Sequence, residues 1–108
     1  MSDAPEALLV YMTAPSEAVA LSLARSAVGA RLAACGNLLP GIRSVYRWKG
    51  EICDDPEVLV LFKTTRAQVD ALRAHLVEAH PYECPEVIAT PVVTGHPAYL
   101  AWISENVG

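Results

Sequence analysis

A histidine followed within six residues by two glutamates and a cysteine is the first place in this sequence to look for chemistry. In His80-Pro81-Tyr82-Glu83-Cys84-Pro85-Glu86, imidazole, thiol and carboxylates are all metal-ligating types. Their spacing matches no strong ligand signature. A histidine at the end of a helical run also serves as a cap, because its ring can meet the free carbonyls of the last turn. We favour the cap for His80, with the ligand role as the alternative.

The cysteines offer less. Cys35, Cys53 and Cys84 form an odd set without a CxxC pair, which argues against a disulfide framework and against a zinc ribbon. They read as reduced thiols. Cys35 lies among small residues, as a packed thiol or a reactive one, and no neighbouring pattern supplies the base that a cysteine nucleophile needs. His75 and His96 have no motif around them. Lys63, Tyr82, Glu86 and Trp102 are polar or amphipathic residues beside apolar sequence, so their polar ends need partners if buried. No P-loop, nucleophile elbow, HExxH helix or acid/base pair is present in the sequence, which weighs against an enzyme.

The elements that must position these residues follow from periodicity and punctuation. Leu8 to Met12 is a short apolar strand, and Ala14-Pro15-Ser16-Glu17 opens a helix. Ala20, Leu23, Ala24, Ala27 and Val28 share one face of that helix, and Gly29 closes it. An extended region starts near Leu32, breaks at Pro40-Gly41 and resumes from Ile42 to Trp48. Lys49-Gly50 makes a hairpin turn, and the return strand runs to about Thr64, with Asp54-Asp55-Pro56 as a bulge or exposed edge. Thr65 and Gln68 have capping-box spacing before a helix through Val69, Leu72 and Leu76 to about Ala79. After the proline-bounded loop come a strand from Val87 to Val93 and a short helix from about Pro97, carrying Tyr99, Leu100, Trp102 and Ile103. The order β-α-β-β-α-β with an added C-terminal helix is the ferredoxin-like α+β arrangement, two helices on one face of an antiparallel sheet.

At 108 residues the chain is expected to form a single domain. A hydrophobic content of 53% supplies enough apolar material for a core and excludes a disordered chain. Eight Lys and Arg against twelve Asp and Glu leave no basic stripe, so nucleic acid is not an expected partner. Nor is a membrane, since no apolar run approaches the roughly 20 residues of a spanning helix. The acidic start, Met1 to Glu6, has neither the charge nor the apolar stretch of a leader, and the expected compartment is the cytoplasm.

Six strings carry a resemblance: Thr13-Ala14-Pro15, Leu32-Ala33-Ala34-Cys35-Gly36-Asn37, Val45-Tyr46-Arg47-Trp48-Lys49-Gly50-Glu51-Ile52, Phe62-Lys63-Thr64-Thr65, the His80 to Glu86 loop and Tyr99-Leu100-Ala101-Trp102-Ile103. In content, order and spacing they resemble the CutA divalent-cation tolerance family. The resemblance implies a ferredoxin-like homotrimer, not an enzyme, linked to tolerance of copper and other divalent metals. The trimer has a physical motive as well, because long hairpin strands leave edges that a neighbour can pair. Cys35, Lys63, Tyr82, Glu86 and Trp102 are then either a network that fixes the trimer or the lining of an intersubunit pocket for a small anionic or metal-bound ligand.

Some relatives are associated with copper through a cysteine before Thr-Ala-Pro and a His-His pair before Pro-Tyr. Here those positions are Met12 and Ala79-His80. A thioether and one imidazole would make a weak, Cu(I)-preferring site, and Met12 reads first as a core residue. No cofactor is required by this reading, with copper or another divalent metal as the expected ion. The alternative class is a signalling module similar to the nitrogen-regulatory PII proteins, which sense small molecules between subunits. It would want a Gly-rich or basic phosphate loop, and the hairpin offers only Arg43, Arg47 and Lys49.

Overall fold

Alternation along the first strand decides which face of the molecule is its core. In the computed structural model, which describes residues 6–108, strand β1 (Ala7–Ala14) buries Leu8, Val10, Met12 and Ala14 on one face. Helix α1 (Glu17–Gly29) lays Ala20, Leu23, Ala24 and Ala27 against that face. β2 (Cys35–Trp48) and β3 (Glu51–Thr65) follow as a long hairpin. Then come α2 (Val69–Ala79), the edge strand β4 (Val87–Pro91) and α3 (Pro97–Glu105). The sheet order is β2-β3-β1-β4, all neighbours antiparallel, as the ferredoxin-like order requires. The opening segment's first five residues, read above as no leader, lie outside the described residues. No helix among the described residues is long and apolar enough to cross a membrane.

Several boundaries move for local reasons. Pro15 precedes the α1 cap, and Ser16 is the cap itself, its hydroxyl accepting from the Val19 amide. The helix runs through Gly29 to an Ala30 cap, and Arg31 takes the left-handed turn at φ 60°. The expected Thr65–Gln68 capping box does not form: Gln68 is the cap and makes no side-chain bond. Residues 32–34 are not yet strand, and β4 stops at Pro91, which has no amide proton to continue a ladder. Lys49 and Gly50 both have positive φ, the requirement of the two-residue turn that matches hairpin twist.

The hairpin is where the fold departs from a plain sheet. β1 pairs with β3 only as far as Val58, so β2 and β3 continue alone from Ile42 to Glu57 as a two-stranded arm that stretches the molecule to 47 Å. The bulge lies in β2 between Leu39 and Ile42, and Asp54-Asp55-Pro56 stays in register as the exposed edge. Two β2 residues there, Pro40 and Gly41, face one on β3, Val58, so the parity of β2 switches. Before the bulge Cys35, Asn37 and Leu39 share a face with Lys63, Leu61 and Leu59; after it Ile42, Ser44, Tyr46 and Trp48 share that face with Glu57, Asp55, Cys53 and Glu51. This is the face opposite α1 and α2.

Phe62 is fully buried at the centre of the core beside Leu72 and Leu76. Gly36 sits against it: a Cβ there would lie 3.3 Å from both Ala24 Cβ and the Phe62 ring. Because both neighbours are buried in the packed core, Gly36→Ala is expected to destabilise the protein by about 1–3 kcal/mol. Thermal unfolding at one fixed protein concentration checks it, and Phe62→Leu in the same chain should recover part of the loss. No recovery would show that the crowding lies elsewhere.

Candidate functional site

The far end of β1, the α2 C-terminus and the base of the hairpin arm meet at one place, and three side chains hold them together. His80 caps α2 and is buried, 7% exposed. Its Nε2 lies 2.8 Å from the Thr13 carbonyl, and its Nδ1 lies 3.1 Å from the Tyr82 amide nitrogen. A carbonyl only accepts and an amide only donates, so Nε2 carries the proton and Nδ1 accepts. Both ring nitrogens are thereby occupied, and the ring packs 4.6 Å from that of Tyr82. Tyr82 then reaches to the arm, its hydroxyl donating to Glu57 Oε2 at 2.6 Å. Glu57 is 8% exposed.

A groove of about 620 Å³ opens beside this chain of contacts, walled by Thr13, Tyr46, Trp48, Glu57, Tyr82 and the Glu83–Glu86 end of the loop. Tyr46 donates to Asp55 at 2.6 Å, Arg43 pairs with Asp54 at 2.6 Å, and Lys49 with Glu83 at 3.2 Å. The two ion pairs are solvent-exposed and orient side chains more than they stabilise the fold. Burial first, then its bond to Glu57, pushes the Tyr82 phenol well up; the bond to Asp55 pushes Tyr46 up to about 12.

The remaining expected residues form a second cluster at the other end of the same face. Lys63 stands directly across from Cys35, its Nζ donating to Asn37 Oδ1 and lying 3.9 Å from Cys35 Sγ. Tyr99 of α3 is pushed up by burial and then by Cys35, and it stacks on Trp102 at 5.5 Å. The five-residue set is therefore divided: Tyr82 and Glu86 border the groove, while Cys35, Lys63 and Trp102 belong with Tyr99. Met12 is fully buried in the core. Cys84 is exposed and borders the groove, and all three cysteines are unpaired.

The sequence profile of the CutA1 divalent ion tolerance protein family matches residues 8–106. The chain belongs to that family. A divalent-cation tolerance protein CutA from Thermus thermophilus is 45% identical over 100 residues, covering 93% of this chain and 97% of its own. Mouse protein CutA is 50% identical over 95 residues, 88% of this chain, which spans only 54% of the mouse protein's length. The solved Thermus thermophilus CutA1 superposes with a TM-score of 0.92 at 44% identity, covering 94% of this chain and 99% of that one. CutA1 from Oryza sativa gives 0.92 at 39% identity, covering 99% and 98%.

For a CutA-family protein the fit of a metal to these residues is the natural question. As folded, Met12 and His80 present no ligand set: the thioether lies inside the core, and neither imidazole nitrogen keeps a free lone pair or proton. Among the described residues no three His, Cys, Asp or Glu side chains gather closely enough to hold an ion.

Glu57 is the residue that sequence reasoning missed. The signal available was a carboxylate placed directly before the apolar run Val58 to Phe62, which alternation puts on the face shared with Leu59 and Leu61. Tyr82→Phe removes its donor and is expected to cost about 1–3 kcal/mol, the range for a buried acceptor left unpaired. Both phenols have folded pKa values above the unfolded value of about 10, so their contribution is complete below about pH 10 and is lost as pH climbs toward and beyond 12. Alkaline unfolding followed by phenolate absorbance should show a shallower pH dependence in Tyr46→Phe/Tyr82→Phe. An unchanged slope would show that these bonds do not couple to folding.

Proposed function

We propose that the chain is a non-catalytic homotrimer that takes part in tolerance of copper or another divalent metal in the cytoplasm. The observation that carries the assembly is the open face of the sheet. Leu9, Tyr11, Leu59 and Leu61 point away from α1 and α2 and are only partly buried, with Leu39 40% and Ile88 59% exposed beside them, while α3 packs at the Ala7 and Cys35 end of this face. An apolar sheet face covered at one end alone is stable in water when a second surface closes the rest. The long arm adds free strand edges that a neighbouring copy can pair. The metal role draws its support from the family, whose relatives are named for divalent-cation tolerance. Unpaired thiols suit a reducing compartment.

A metal that takes His80 must displace the Thr13 or the Tyr82 bond, which makes such a site weak, and Met12 as a second ligand favours Cu(I). Light scattering at micromolar concentration is expected to give three times the 11.6 kDa chain mass. Titration of the same samples should find weak Cu(I) binding, weaker Cu(II) and Zn(II) binding, and loss of both in His80→Ala with the trimer kept. A stable monomer would remove the assembly. Undiminished copper affinity in His80→Ala would move the metal to other residues.

A further inference from the structure

Helix α3 lies apart from the main core. Ile103 is the side chain it buries, in a small cluster with Ala7 and Ala34 that Val92, Leu100 and Val107 pack against. Nine residues are too few for a helix to persist on its own, and its last turn carries no basic side chain to meet the free carbonyls there. A cation comes instead from the end of α1. Arg31 donates from Nη2 to the Glu105 carbonyl at 2.9 Å and from Nε to the Gly108 carbonyl at 2.8 Å, and its own carbonyl accepts from the Gly108 amide at 2.9 Å.

Arg31 holds this position at a conformational cost. It takes its left-handed φ of 60° just after the Ala30 cap, where the Arg31 and Leu32 amides return to the Val28 and Ala27 carbonyls. Glycine is the usual residue at such a helix end, because it has no Cβ to conflict with the backbone. The turn itself gains nothing from an arginine. The side chain is explained by what it grips, the last turn of α3 and the residues that follow.

What α3 covers is the Cys35 end of the open face. Ala34 packs with Ile103, and Tyr99 reaches the Cys35 thiol, whose other polar neighbours are Lys63 and Asn37. This cover comes from the same chain and leaves the rest of the face for a neighbouring copy. A short helix held by one buried anchor and one polar clamp is the kind of unit that opens without global unfolding.

We propose that α3 with residues 106–108 is a strap latched by Arg31, which opens as a unit and controls access to the Cys35 thiol and the Lys63 amine. Strap and latch belong to one chain, and neither uses Met12 or His80.

The test compares the intact protein with Arg31→Gly and Arg31→Asn, two residues that suit the left-handed turn and lack the guanidinium. In amide hydrogen exchange, Ile103 to Glu105 should exchange before the central amides of β1 and β3 in the parent protein. In both variants they should exchange about tenfold faster still, the scale of a hydrogen bond to a charged group, while the strand amides change by less. Alkylation of Cys35, localised by mass spectrometry, should speed up by a similar factor while the exposed Cys84 reacts at its parent rate. Unchanged α3 exchange in both variants, an equal rise in α3 and the central strands, or Cys35 alkylation that does not follow α3 would each overturn the strap. Light scattering of the same samples should give parent and variants one mass, whatever that mass is, so the outcome for the trimer stays separate. A changed mass in both variants would assign the clamp to the assembly and overturn the latch.

Discussion

One extra residue in β2 controls what the long hairpin can do. Without the bulge between Leu39 and Ile42, strict alternation would carry Leu39 on to Gly41, Arg43, Val45 and Arg47, and the arm would turn charged and β-branched residues toward the open face. With it, Tyr46 and Trp48 fall on the side of Glu57 and Thr13. The groove, its aromatic walls and the bond from Tyr46 to Asp55 all follow from that switch. Pro40 and Gly41 suit the site because proline needs no ladder donor and Gly41 takes φ +81° without a Cβ conflict.

The second constraint is the buried carboxylate. An acid removed from water must find donors, and Glu57 finds one in Tyr82, whose own position depends on His80. His80 in turn bridges the α2 terminus and the last residues of β1. A helix end, a strand end and a loop are thus tied to the arm by a short run of directional contacts where the hydrophobic core has ended. Apolar packing alone could let the arm pivot at Val58, where its pairing with β1 stops. The hydrogen bonds give the loop and the arm a preferred relation instead.

Periodicity made the architecture legible, because Val10, Phe62, Leu72 and the small residues of α1 must face one another whatever the details. The order of elements, the start of α3 at Pro97 and the break at Pro40-Gly41 were all marked by residues with strong local preferences. The Thr65–Gln68 box was misleading because a capping motif describes an available bond, and here α2 begins one turn later than that motif needs. The site was less legible. Tyr82 and Glu86 attract attention by type, but Glu57 is separated from Tyr82 by a strand, a helix and a turn, and only the tertiary fold joins them. His80 reads the same in sequence whether it caps a helix or binds a metal; the two occupied ring nitrogens appear only in space.

The division of the polar residues into two clusters has a consequence for any assembly. Glu57, Leu59, Leu61 and Lys63 occupy alternate positions of one strand, so the groove acid and the lysine facing Cys35 are on a single face with an apolar strip between them. A neighbour laid along that strip would gain its hydrophobic contact from Leu59 and Leu61 and would meet a polar cluster at each end. Polar groups at the ends of an apolar contact add little net energy, but a mismatched arrangement leaves some of them unpaired and is penalised. The apolar strip can therefore favour association, while the clusters select the register in which it occurs.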